Sequence, residues 1–276
     1  MLANQRITFI GAGAMTESII AGLLTNNYAD RSQITVINKS KEDRLGQLEK
    51  EYGVKVTEDK RKAVEESDLL ILSMKPKDVE EALGAIQPFM HKQQVIFSVL
   101  AGTTTSYISH LIGLDCPVVR VMPNTSAKVA ASASAISAGQ HATSSEVELA
   151  SQLFSAIGSV TIVSEEQMDS VTGISGSGPA YFYYILEGLQ LAAVESGLSE
   201  DDAKDLLVQT MLGAAKRWAQ TSTSLHSLYN EVMSPGGTTE AAFSILNENH
   251  VQEHLMTGAK AAIDRSHALG QPKKEV

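Results

Sequence analysis

The 276-residue chain exceeds one average domain, and a span of roughly 100 to 200 residues per domain predicts two, with 43% hydrophobic and 20% charged residues sufficient for a buried core. A net charge of −10 and a pI near 5.2 exclude the concentrated basic face that nucleic acid requires and disfavour anionic membranes; Lys273 and Lys274 read as a solvated tail. The single Cys116 excludes an intrachain disulfide or a cysteine zinc cluster, no stretch of ~18 apolar residues predicts a membrane span, and the early strand leaves no room for a signal peptide, so a cytoplasmic protein is expected.

The first predicted strand, Arg6 to Ile10, breaks at Gly11, Ala12, Gly13 and Ala14, and a helix-compatible run follows from Met15 to Leu24. Glycines let the chain turn tightly and let a pyrophosphate reach backbone amides at a helix N-terminus, where the dipole favours negative charge. Thr16 fills the third position of this GxGxxG-type fingerprint. Strand, glycines and helix in this order predict a dinucleotide loop with Gly11, Ala12, Gly13, Ala14 and Met15 as cofactor contacts; an ordinary turn would need no second glycine.

The second strand, Gln33 to Ile37, ends in Asn38, Lys39 and Ser40, where an NAD site carries a carboxylate for the ribose diol. An amide, a cation and a hydroxyl accept a 2′-phosphate that a carboxylate would repel, so NADP is the expected cofactor, with NADPH preferred and NADH possible. The alternative is that Lys39 and Lys41 merely begin the exposed helix Glu42 to Tyr52.

Val54 to Val56, Asp68 to Met74, Gln94 to Val99 and Val118 to Met122 continue the alternation of short strands and amphipathic segments. That pattern implies an α/β, doubly wound, Rossmann-type domain. Ligands of such sheets lie beyond the carboxyl ends of strands, which places Ser73, Met74, Lys75 and Pro76, and Leu100, Ala101 and Gly102, near nicotinamide and its ribose. Pro76 could instead start the next helix. Ala133 to Ala138, a helix opened by Ser145 with Glu148 as capping-box partner, and Val160 to Val163 extend the sheet. The strand signal then stops, dividing the chain into a dinucleotide-binding domain, 1–164, and an all-α dimerisation domain, 165–276.

Ser164 with Gln167 forms another capping box before a short helix that runs into Gly173 to Gly178. Beyond Pro179, Ala180 to Ser196 is apolar on most of its circumference; Gly197 stops it, and Ser199 with Asp202 opens a helix through Trp218. So small a helical block cannot wrap Ala180 to Ser196, so a homo-oligomer built on a dimer is expected, the alternative being cover from the first domain. After Pro235, Gly236 and Gly237 can present N–H groups to a small carboxylate, with hydroxyls from Ser234, Thr238 and Thr239, or can simply cap a helix. His226, His250, His254 and His267 lack a carboxylate arrangement typical of ligation, so no metal is expected.

The segments GAGAM, SMKP, SVLAG, RVMPNT, VTGISGSGPAY and SPGGTT, in this order over most of the chain, resemble the pyrroline-5-carboxylate reductase family. The resemblance implies reduction of a cyclic imine acid, 1-pyrroline-5-carboxylate, to L-proline by hydride transfer from NAD(P)H, the last step of proline biosynthesis. It also implies that Ser234, Gly237 and Thr238 hold the substrate carboxylate and that the catalytic Thr239 hydroxyl faces the ring nitrogen. Thr172 and Ser175 would line the substrate pocket, Glu165 would lie nearby, and Asn124 would touch the cofactor. Asn230 stands where the family more often has Asp.

No His or Lys in these segments offers a general acid, which a protonated iminium tolerates because it already carries the needed charge. The protein's part is then to position two reactants. A β-hydroxyacid dehydrogenase would need a catalytic Lys in the helical part, yet none occurs between Lys128 and Lys204. A regulatory paralogue without turnover draws support from Ser126, Ser227 and Glu240, where the family has Pro, Pro and an apolar residue. The ligand-facing glycines and hydroxyls are all present, which favours an active enzyme.

Overall fold

The computed structural model describes residues 5–39 and 42–270. Ser40, Lys41, Lys273 and Lys274 lie outside the described residues. In chain order the elements are β1 (Ile7–Ile10), α1 (Ala14–Thr25), β2 (Ile34–Ile37), α2 (Glu42–Tyr52), β3 (Lys55–Val56), α3 (Lys60–Glu65), β4 (Leu69–Leu72) and α4 (Val79–Ile86). There follow β5 (Val95–Ser98), α5 (Thr105–Ile112), β6 (Val118–Met122), β7 (Ser132–Ala138), α6 (Ser144–Ser155) and β8 (Gly158–Ile162). The rest is helical: α7 (Met168–Val171), α8 (Gly178–Glu195), α9 (Glu200–Ala219), α10 (Leu225–Asn230), α11 (Thr238–Glu248) and α12 (Val251–Leu269).

One eight-stranded sheet has the order β3-β2-β1-β4-β5-β6-β7-β8. The first six strands are parallel, β7 runs antiparallel to β6, and β8 is parallel to β7. Strands covered on both faces need apolar side chains on both, and the runs ITFI of β1 and LLIL of β4 are buried throughout. Ile7, Phe9, Leu69 and Ile71 join Ile19 and Leu23 of α1 and Leu153 and Phe154 of α6 on one face. Ile10, Leu70, Leu72 and Ile96 join Leu83 of α4 and Ile108 of α5 on the other. This is the expected doubly wound domain, with a helical part after it.

The start of α6 corrects the sequence reading. Thr143, not Ser145, is the N-cap: its Oγ1 accepts from Ser145 N–H at 3.2 Å, and Glu146 accepts from Thr143 N–H at 2.7 Å. Glu148 instead accepts from Gln152 one turn on. The motif recurs two residues apart, and the earlier start wins because each added helical residue gains a backbone hydrogen bond. The boxes at Ser164 with Gln167 and the cap at Ser199 with Asp202 form as expected.

Two compact units emerge, one running through Pro179 and taking back the chain from Ala261, the other Ala180–Lys260. Close packing explains the return of α12 to the first unit. A side chain on Gly173 would lie 2.8 Å from the Ile263 amide nitrogen, and Ser266 donates to Asp169 at 2.8 Å. Within Ala180–Lys260, all of it described, Ala203 alone is buried, while Phe182, Tyr183, Tyr184, Leu189 and Leu191 are more than half exposed. Among the described residues, no helix is long and apolar enough to cross a membrane.

Candidate functional site

A cleft of about 710 Å³ opens beyond the carboxyl ends of β1, β2 and β4. Its wall gathers most of the expected cofactor residues: Gly11, Ala12, Gly13, Ala14, Met15, Asn38, Lys39, Ser73, Met74 and Lys75. Pro76, Leu100, Ala101, Gly102 and Asn124 stand outside that wall. Pro76 opens a 3₁₀ turn, Leu100 is buried among the residues around α5, and Gly102 packs against the Ser266 carbonyl.

The glycine loop is built by steric demand on one side and open space on the other. Gly11 has φ +119°, and an added Cβ would sit 2.8 Å from the Met74 nitrogen and the Ser73 carbonyl carbon, so glycine is required. Its N–H donates to the Ile37 carbonyl at 2.9 Å, and its carbonyl accepts from Thr16 Oγ1 at 2.9 Å. Thr16 Oγ1 also lies 2.8 Å from Ser73 Oγ, so the buried threonine ties loop to β4. At Gly13 the chain is extended, the nearest atom to an added Cβ is Ser73 O at 4.0 Å, and no side chain caps α1. Nothing in the protein demands glycine at 13, whereas an anion seated on the α1 amides does.

Lys39, Arg44, Lys60, Lys75 and Lys77 line the cleft against Asp78 and Glu81, a net positive surround that suits phosphates. Arg44 Nε donates to the Ala12 carbonyl at 3.0 Å, and its guanidinium pairs with Glu17. Lys39 pairs with Glu81 of α4, whose hydrogen bond raises the lysine pKa further above neutrality. Arg44, Lys60 and Lys77 were missed from sequence because they come from separate helices and carry no motif. The residues present fit a phosphorylated dinucleotide.

Glu165, expected near substrate, is engaged within the chain. Its Oε1 lies 3.2 Å from Nη1 of the buried Arg120 and accepts from Thr105 N–H at 3.1 Å. Asp169 is the second acid beside Arg120, at 3.6 Å. Asn124 Nδ2 donates to the Ser175 carbonyl at 3.1 Å, and its Oδ1 accepts from Ser126 N–H at 3.0 Å, a bond proline could not make. Ser175 Oγ donates to the Ala133 carbonyl at 2.9 Å, and Thr172 Oγ1 to Met168 at 2.8 Å. Both belong to the π-helical turn Thr172–Gly176.

In the second unit, Ser234 to Gly237 head α11. Gly236 has φ +70°, and Gly237 N–H donates back to the Ser234 carbonyl at 2.9 Å. Gly237 is the N-cap residue, again without a side-chain cap, and Thr238 and Thr239 form the first turn. Among the described residues, neither threonine hydroxyl is tied to the chain, which leaves both available to a ligand. Asn230 Nδ2 is 3.0 Å from His226 Nδ1. Among the described residues, no group of three or more His, Cys, Asp or Glu could hold a metal.

Residues 165–269 match the family model described as pyrroline-5-carboxylate reductase dimerisation, and residues 6–102 match NADP oxidoreductase coenzyme F420-dependent. Pyrroline-5-carboxylate reductase 1 of Bacillus spizizenii is 41% identical over 263 residues, covering 95% of this chain and 89% of that one. The soybean (Glycine max) pyrroline-5-carboxylate reductase is 38% identical, covering 96% of each. Among solved structures, a pyrroline-5-carboxylate reductase from Coxiella burnetii has a TM-score of 0.86 at 35% identity, covering 97% of this chain and 99% of that one. The Plasmodium falciparum pyrroline carboxylate reductase with NADP bound has a TM-score of 0.89 at 25% identity, over the same shares.

Proposed function

The chain belongs to the pyrroline-5-carboxylate reductase family, and from that premise we infer that it reduces 1-pyrroline-5-carboxylate to L-proline with a nicotinamide dinucleotide, NADPH ahead of NADH, in the last step of proline biosynthesis. When bound, the reduced cofactor supplies a hydride to the imine carbon. The α1 amides behind Gly13 hold its diphosphate, and Asn38, Lys39 and Arg44 face the adenosine phosphate. Ser234, Gly236, Gly237 and Thr238 hold the substrate carboxylate, and the Thr239 hydroxyl orients the ring nitrogen. The observation that carries this reading is one chain holding both an uncapped, glycine-led α1 lined by cations and a second glycine-led helix start with two untied threonines.

A functional division at 164/165 is supported by the helical family match, which begins at residue 165. A homo-oligomer built on a dimer follows from the helical unit, whose single buried residue cannot offset the cost of ordering it alone. The lone, buried Cys116 suits a reducing cytoplasm.

Thr239→Ala is expected to lower turnover by more than about tenfold with NADPH affinity nearly unchanged, because the hydroxyl acts on the imine alone. Single-turnover rates beside NADPH titrations check this; an equal loss of cofactor binding rejects the assignment. Asn38→Asp is expected to shift the kcat/KM ratio toward NADH by repelling the 2′-phosphate. An unchanged ratio would count against this loop's role.

A further inference from the structure

One acid meets the proposed carboxylate loop directly. Glu240 is the third residue of α11, and its Oε2 accepts from Gly236 N–H at 2.7 Å. The other glycine amide of the loop, that of Gly237, is already engaged by the Ser234 carbonyl. With φ +70° at Gly236, the chain turns that amide back over the helix start, where the side chain at 240 reaches it. A carboxylate of the protein therefore occupies one of the loop amides, that of Gly236, beside the first-turn threonines that would meet the carboxylate of a substrate.

We propose that Glu240 is a resident anion of the substrate loop, which must leave Gly236 before a ligand carboxylate can seat, and which weakens binding of the substrate and excludes dicarboxylates more strongly. This rests on the assignment of the Ser234 to Thr239 loop to the substrate carboxylate. Two carboxylates cannot share one amide, and like charges at such separation repel. Glu240 also ties the residue ahead of the α11 N-cap to the first turn, and its charge lies at the positive end of the helix, so it stabilises the helix start while it holds the Gly236 amide closed to other anions. Serving both ends explains how an acid is retained in an anion site.

Glu240→Gln separates the two roles, because the amide oxygen still accepts from Gly236 while the charge is gone. The full-length protein carrying Glu240→Gln is expected to show a KM for pyrroline-5-carboxylate lower by about threefold or more, with kcat changing by less than KM. The gain shrinks as salt is raised, since screening weakens repulsion between exposed charges. Calorimetric titration with L-proline in the presence of NADP is expected to show the same tightening, and Glu240→Ala repeats the KM effect at some cost in melting temperature. Turnover by the wild type with an unchanged or higher KM in both variants overturns the role of Glu240 and leaves it a helix cap. Absence of turnover by the wild type, with no proline binding by any form, overturns the loop assignment and this proposal with it.

Discussion

Arg120→Ala is expected to destabilise the sheet-bearing unit by about 3–5 kcal/mol, the cost typical of removing one partner from a buried ion pair. Arg120 sits on β6, in register with Ser98 of β5 and Ser137 of β7, and its side chain is 2% exposed. It holds two carboxylates, Glu165 and Asp169, at 3.2 and 3.6 Å. Those acids in turn receive Thr105 N–H at the start of α5 and Ser266 Oγ near the end of α12. Without the cation, two acids only about a quarter exposed would face each other unpaired.

The network is incompletely satisfied, since Arg120 Nε and Nη2 and Glu165 Oε2 are buried without a hydrogen-bond partner among the described residues. Its importance therefore lies in stranded charge rather than in a sum of hydrogen bonds. Urea unfolding at one fixed protein concentration measures the effect, because assembly is linked to stability. A loss below about 1 kcal/mol would contradict the account of this network.

Gly13→Ala is expected to weaken dinucleotide binding by about a hundredfold or more while changing stability by less than about 1 kcal/mol. The position is extended, so alanine meets no backbone strain, and its methyl would find Ser73 O at 4.0 Å, an ordinary contact. The methyl instead fills the space before the α1 amides. Two lost charge-assisted hydrogen bonds, at roughly 1.5–3 kcal/mol each, correspond to that loss of affinity. Gly11→Ala supplies the contrast: with the Ser73 and Met74 backbone 2.8 Å from its Cβ, it should damage fold and binding together. Fluorescence titration with NADPH beside thermal unfolding separates the two. Unimpaired binding in Gly13→Ala would remove the dinucleotide from this loop.

The parts legible in the sequence are those encoded by local chemistry. Apolar runs give β1 and β4, the glycine turn gives the start of α1, and capping pairs give Ser164 and Ser199. Repeated local signals misled: Thr143 to Glu146 and Ser145 to Glu148 are the same motif, and only the longer helix decides. Long-range partners were invisible. Glu81 reaches Lys39 from α4, and Arg44 reaches Ala12 from α2, with no spacing that announces either.

Glu165 shows the same limit at the candidate site. The family resemblance places it near the pocket, and nothing in the sequence announces that its carboxylate is also held by an arginine 45 positions earlier. Gly102 reads as a ligand glycine, whereas it lies against the returning end of α12. The direction of β7 had a signal in the chain: the link from Met122 to Ser132 is shorter than the dozen or more residues a parallel crossover requires.

The most direct measurement is steady-state NADPH oxidation by the full-length protein with 1-pyrroline-5-carboxylate, run beside a six-membered cyclic imine acid and, in reverse, a hydroxy acid with NADP. The account predicts efficient NADPH consumption with the five-membered imine, with stoichiometric L-proline as product. Oxidation of the hydroxy acid with no turnover of either imine would contradict it.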